Sequence, residues 1–248
     1  MKKHIPNFIT CLNLFAGCIA CVLAFEGRFV YAFACILLAA VFDFFDGLAA
    51  RFLKAYSPLG KELDSLADAV SFGVAPGFMV YAILLRAAGS VAGVDDDGLL
   101  LVPYIAFLLP VFSALRLAKF NIDERQTTSF IGLPTPANAI FWASGIAGTA
   151  AYAETCGLWY GMVTMLLVIV FSGLLVSEIP MFSLKIKSLS WKGNERRYIL
   201  IASSIPAVIV LKSGGLSAVI LLYIFLSLLE PRKPAAAGGG GIKTSLPR

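Results

Sequence analysis

The sequence predicts an all-α fold, a polytopic bundle of transmembrane helices, and three observations predict it. Hydrophobic residues make up 59% of the 248 and charged residues only 14%, against about 25% charged in soluble domains. Mean hydropathy is +0.85. The apolar residues fall in continuous runs long enough to cross a hydrocarbon core about 30 Å thick, which takes roughly 20 helical residues. Twenty Lys and Arg with fifteen Asp and Glu cannot furnish the exterior of a water-soluble enzyme of this length, which excludes a soluble Rossmann or barrel enzyme.

Six runs predict spans, over 8–25, 29–50, 63–85, 99–117, 137–152 and 158–176. Two shorter runs, 198–211 and 216–229, flank Lys212-Ser213-Gly214-Gly215 and read as a hairpin of two further spans. The predicted organisation is therefore eight crossings: a transmembrane core over 1–185, a helical hairpin over 186–233 and a flexible Ala- and Gly-rich tail over 234–248. With both termini on one side, 17 of the 20 basic residues fall on that side, and only Arg28, Arg86 and Lys212 fall opposite. The positive-inside rule then places the termini in the cytoplasm, as expected for a multi-pass protein of the cytoplasmic membrane. Because the basic residues sit at the ends of apolar runs, the net charge of +5 marks a membrane face and not a nucleic-acid partner.

Asp95, Asp96 and Asp97 fall in the external loop after the third span and read as a solvated turn. Cys11, Cys18, Cys21, Cys35 and Cys156 are odd in number and lie in or beside apolar segments, so they are expected as free thiols. No cleavable signal is expected, because the first run is long enough to span and lacks a small-residue cleavage site. His4 is the only histidine, which argues against histidine-based catalysis.

Charge inside the spans is the informative anomaly. The second span ends DFFDGLAAR, from Asp43 to Arg51, and the third opens GKELDSLAD, from Gly60 to Asp68. Asp43, Asp46, Gly47 and Ala50 share one helix face, as do Gly60, Asp64 and Asp68. The short link between the two runs makes these helices antiparallel neighbours, so the four carboxylates are expected to converge. An aspartate at the centre of a span costs about 2.5 to 3.5 kcal/mol. Carboxylates about 5 Å apart repel by roughly 3 kcal/mol per pair at an effective dielectric near 20, so protons or cations must compensate. An all-oxygen cluster without His or Cys suits Mg²⁺, Mn²⁺ or Ca²⁺, and the expected arrangement is a binuclear divalent metal site. Gly47, Ala50 and Gly60 clear side chains from the same faces and would let a phosphorylated ligand approach. Two metals held by carboxylates suit phosphoryl transfer, here at a membrane surface.

The string from Asp43 to Asp68 matches DxxDGxxAR, eight residues, then GxxxDxxxD, and it resembles the signature of the CDP-alcohol phosphatidyltransferases. Asp43, Asp46, Gly47, Ala50, Arg51, Gly60, Asp64 and Asp68 occupy its fixed positions. The resemblance implies a six-span core, a homodimer, a CDP-linked lipid donor and CMP as leaving group. It implies Asp43, Asp46, Asp64 and Asp68 as ligands of two ions, Mg²⁺ or Mn²⁺ with Ca²⁺ as a possible occupant, and Asp68 as general base. Gly47, Ala50, Arg51, Ser57 and Gly60 match positions around the nucleotide and pyrophosphate, with Asp46 among the donor contacts. Pro6-Asn7-Phe8-Ile9-Thr10 resembles the family's PNxxT, in which Asn7 and Thr10 would approach the nucleotide.

The acceptor is argued from other segments. RLAKFN, Arg116 to Asn121, and FIGLPTPA, Phe130 to Ala137, resemble segments of the phosphatidylserine synthase branch, with Lys119 where Arg is usual; LVSEIPMFSLK, Leu175 to Lys185, is similar to it as well. A serine zwitterion needs a cation for its carboxylate, and Arg116, Lys119, Asn121 and Arg125 are the expected contacts. The expected reaction is CDP-diacylglycerol plus L-serine giving phosphatidylserine and CMP. Other acceptors, glycerol 3-phosphate, inositol phosphate or choline, are the alternative within the family. A cation-coupled transporter is the alternative from another class, although no inverted repeat is seen and all four carboxylates lie toward one face.

Overall fold

The structure, a computed structural model, describes residues 4–90, 99–123, 130–182 and 194–229. Helices α1 (His4–Phe25) and α2 (Phe29–Phe52) form an antiparallel pair around a tight turn at Gly27, whose φ of +70° is left-handed. Their polarity is inverted relative to a soluble helix. On α1, Phe8, Phe15 and Val22 are exposed while Thr10, Asn13, Ala16, Gly17 and Ala20 are buried. The outward apolar face is the lipid face, and the small inward residues let backbones approach closely.

Helix α3 (Pro58–Asp68) starts at Ser57, whose Oγ accepts the Gly60 N–H at 3.0 Å, with Pro58 at the first helical position. A π-helical turn, Ala69–Val74, carries it into α4 (Ala75–Gly89). Together they make one apolar stretch, Pro58–Gly89, longer at both ends than the expected third span. A 3₁₀ segment, Leu99–Phe107, leads into α5 (Leu108–Ile122). It contains Pro103, which has no N–H to donate to an α-helical ladder.

The expected fifth span is present with different bounds. Residues 137–152 yield only the 15-residue α6 (Thr135–Thr149), about 22 Å long at 1.5 Å per residue, followed by the single turn α7 (Tyr152–Thr155). Helix α6 is as enclosed as α4, and polar residues lie inside: Thr135, Asn138 and Ser144 are buried along with Phe141 and Trp142. Apolar residues at 150–153 mimic a continued span to a hydropathy reading, whereas its polar residues mark a helix surrounded by protein.

Helix α8 (Gly157–Val176) follows, and its far end is joined to the chain ahead of α6. Strand β1 (Phe130–Ile131) pairs antiparallel with β2 (Pro180–Met181), and Leu133 N–H donates to Leu174 O at 3.0 Å. Gly132 has φ +75°, and a Cβ there would lie 2.7 Å from Leu175 O and 2.9 Å from Ser177 O. The FIGLP and SEIPM segments are thus pinned to one another.

Helices α9 (Glu195–Leu211) and α10 (Gly215–Leu228) flank a 3₁₀ turn, Lys212–Gly214. The chain doubles back there, since Arg196 Nη2 donates to Leu229 O at 3.0 Å. Helix α10 docks on α6 through Ser217 Oγ to Phe141 O, and the 3₁₀ turn does so through Ser144 Oγ to Ser213 O, each 2.6 Å. This is the expected hairpin, with arms of 17 and 14 residues, about 25 and 21 Å, short for two full crossings.

Among the described residues, six stretches are long and apolar enough to cross a membrane: His4–Phe25, Phe29–Phe52, Pro58–Gly89, Leu101–Ile122, Gly157–Val176 and, as the hairpin just described, Glu195–Leu228. The chain is an integral membrane protein. The Asp95–Asp97 run, Arg125, Lys185 and the tail from Pro234 lie outside the described residues.

Candidate active site

Three of the four intramembrane aspartates meet. Carboxylate oxygens of Asp43 on α2 and of Asp64 and Asp68 on α3 lie within 4.8 Å of one another. The cause is the helical spacing: Asp64 and Asp68 stand one turn apart on the α3 face that meets the end of α2. Asp46, one turn beyond Asp43, does not join this group. It is turned toward α1, where Thr10 Oγ1 donates to its Oδ2 at 2.7 Å in a buried contact. A second α1 side chain reaches the cluster, Asn13 Nδ2 donating to Asp68 Oδ1 at 3.2 Å.

Beside the cluster, α1, α2 and α3 enclose a cavity of about 530 Å³. Asn7, Thr10, Asp46, Gly47, Ala50, Ser57 and Gly60 line it together with Asp64, so seven of the eight expected donor contacts face one space. The exception is Arg51, which is exposed, with its Nε donating to Gly47 O at 3.0 Å. Ser57 serves as the helix cap as well as a wall. The glycines differ in function. A Cβ on Gly47 would meet only Arg51 Nη2, at 3.6 Å, whereas one on Gly60 would press on Asn7 Oδ1 and Ser57 Oγ at 3.0 and 3.1 Å. Tyr56 and Lys61 also line the cavity and carry no motif signal in the sequence.

The donor set fits a hard divalent cation. It consists of carboxylate oxygens alone, and Asp64 Oδ1 is buried without any hydrogen-bond partner, an atom that only a cation or a proton would satisfy. Among the described residues, Asp43, Asp64 and Asp68 are therefore a group able to hold a metal, with Asp46 adjacent.

The expected acceptor residues divide. Arg116 is 7% exposed, donates from Nη1 to Thr135 Oγ1 at 2.8 Å and lies within electrostatic reach of Asp68. With Lys119, Glu178 and Ser177 it lines a small cavity of about 20 Å³, the room of a single water. Asn121 is absent from that lining: its Nδ2 donates to Ser65 Oγ at 2.8 Å, and its carbonyl accepts from Lys61 Nζ at 3.2 Å. It ties the end of α5 to α3 and so anchors the aspartate-bearing helix. Arg125 lies outside the described residues.

Comparison with known proteins agrees with this geometry. The profile of the CDP-alcohol phosphatidyltransferase family matches residues 3–178, which include every helix that lines the cavity. The chain belongs to that family. Among its relatives is a CDP-diacylglycerol–serine O-phosphatidyltransferase of Mycobacterium leprae, 37% identical over 188 residues, 71% of this chain and 57% of that protein. The protein of the same name in Bacillus subtilis is 34% identical over 178 residues, covering 65% of this chain and 88% of its own. That of Helicobacter pylori strain J99 is 29% identical over 231 residues, 91% of this chain and 90% of its own. The chain thus spans just over half of the mycobacterial relative and nearly all of the other two. The family match stops before the α9–α10 hairpin, whereas the Helicobacter similarity is too long to do so. Besides Tyr56 and Lys61, Asn13 is a residue at the cluster that motif reasoning missed. The available signal was a lone carboxamide one turn from Thr10 in an otherwise apolar span.

Proposed function

We propose that this chain transfers the phosphatidyl group of CDP-diacylglycerol to the hydroxyl of L-serine, forming phosphatidylserine and releasing CMP. The observation that carries the reading is the convergence of Asp43, Asp64 and Asp68 beside a cavity walled by the family signature. Relatives named for the serine reaction support the choice of acceptor. The donor's nucleotide and pyrophosphate occupy the 530 Å³ cavity, with Gly47 allowing close backbone approach, Gly60 making room for Asn7 and Ser57, and Asn7 and Thr10 at the α1 wall. Two divalent ions, Mg²⁺ or Mn²⁺, held by Asp43, Asp46, Asp64 and Asp68, would supply charge neutralisation for the pyrophosphate and the departing CMP.

The serine oxygen forms a bond to the phosphorus bearing the diacylglycerol, the bond from that phosphorus to CMP breaks, and the hydroxyl proton passes to Asp68. Asp68 suits this task because it is nearly buried and Asn13 fixes the rotation of its carboxylate. Arg116 and Lys119 receive the serine carboxylate, and Glu178, in the same small cavity, offers a counterpart for the ammonium. That cavity must widen to admit serine. The site faces the cytoplasm, the core over 1–185 works as a homodimer in a cytoplasmic membrane, and the α9–α10 hairpin buttresses α6.

The deciding experiment incubates purified protein in liposomes with CDP-diacylglycerol and, separately, L-serine, glycerol 3-phosphate, inositol phosphate or choline, and reads CMP release. Serine-dependent release supports the proposal. Release with another alcohol and not with serine moves the acceptor; substrate uptake without CMP release would indicate a transporter.

A further inference from the structure

Asn13 is the deepest of the polar residues that α1 turns inward, and its surface exposure is zero. Burying a carboxamide inside a membrane bundle is costly unless both ends are satisfied. Here only one end is. Nδ2 donates to Asp68 Oδ1 at 3.2 Å, and Oδ1 has no partner. Packing of α1 does not require the side chain, because α1 meets the π-helical turn through backbone: Ser71 Oγ donates to Asn13 O at 3.0 Å. Close approach at that point comes from Gly17, where a Cβ would collide with Ser71 Oγ. The carboxamide therefore makes one directed contact, to the carboxylate placed at the start of the π turn, where the helix changes register.

We propose that Asn13 is a positioning residue that orients the Asp68 carboxylate toward the cation shared with Asp43 and Asp64. This rests on the metal reading given above. Holding Oδ1 of Asp68 fixes the rotation of the carboxylate, and the main-chain bond from Ser71 keeps Asn13 at constant height against the turn. Thr10 does the same for Asp46 one turn earlier, so a single face of α1 orients carboxylates from two other helices. Groups that orient metal-binding carboxylates typically contribute about 10- to 100-fold in metal affinity.

The test is Mn²⁺ binding by calorimetry to the full-length protein in nanodiscs, with no substrate present. Asn13→Ala, and Asn13→Leu as a variant that retains side-chain volume, should each weaken Mn²⁺ at least about tenfold. In an Asp68→Ala background, which leaves the carboxamide nothing to orient, Asn13→Ala should change affinity by less than about twofold. Wild-type affinity in both Asn13 variants overturns the proposal. So does an equal loss in the Asp68→Ala background, which would mark a general packing defect. Absence of Mn²⁺ binding by the unmutated protein overturns it together with the metal reading, whereas metal binding indifferent to Asn13 overturns it alone.

Discussion

Replacing Thr10 by Val removes one hydroxyl and keeps the shape of the side chain. The hydroxyl donates to Asp46 Oδ2 at 2.7 Å, and Asp46 is only 6% exposed, so the lost donor is one of few that reach it. Neutral hydrogen bonds between membrane helices average about 0.6 kcal/mol. One to an ionised carboxylate is worth about 1.5 to 3 kcal/mol, and removing it leaves the buried acceptor unpaired. At 1.36 kcal/mol per decade, that corresponds to roughly 10- to 150-fold. Because Asp46 lines the donor cavity, the loss should appear in kcat/KM for CDP-diacylglycerol, measured as CMP release in mixed micelles at saturating serine. Thr10→Ser keeps the donor and should restore most of the activity. Thr10→Val within about twofold of wild type would refute the reasoning, since an effect that small lies below the charge-assisted range. Equal damage from Ser and Val would refute it too, because the missing methyl would then matter and not the hydrogen bond.

Three further outcomes follow from particular contacts. Gly132→Ala forces a left-handed φ on a residue with a Cβ and drives that atom into Leu175 O, costing about 2 to 5 kcal/mol; thermal unfolding followed by circular dichroism should show a clearly lowered midpoint, and an unchanged one would contradict the pinned loop. Arg116→Lys keeps the charge but loses the planar fork, so KM for serine should rise while that for the lipid donor holds; a shift confined to the donor would move Arg116 out of the acceptor site. Asn121→Ala loses the bond to Ser65 and should lower stability by about 1 kcal/mol in the same unfolding assay with serine KM unchanged, whereas a selective rise in serine KM would return Asn121 to the acceptor.

Much of the site was legible because helical spacing alone decides it. Asp43 with Asp46, and Asp64 with Asp68, repeat at three and four residues, so any antiparallel pairing of those helices brings carboxylates together. Spacing could not reveal which way each carboxylate turns. Asp46 faces Thr10 and leaves a cluster of three, because α1 supplies a donor there. The acceptor segments were legible as segments but not as contacts: Asn121 spends its amide on α3, a choice set by tertiary packing. The fifth span was legible as a span, but its bounds and surroundings were not. Hydropathy counts apolar residues without knowing whether lipid or protein surrounds them, and α6 is a short helix enclosed chiefly by α10, α2 and α4. The π turn itself leaves no mark in composition, although it decides where Ser71 and Gly73 point.

The central claim is that carboxylates from two neighbouring membrane helices hold divalent cation at the donor's pyrophosphate. Its most direct measurement is the initial rate of serine-dependent CMP release from protein stripped with EDTA, before and after Mn²⁺ or Mg²⁺ is returned. The account predicts no release from stripped protein and recovery on adding either ion. Undiminished release in excess chelator would contradict it.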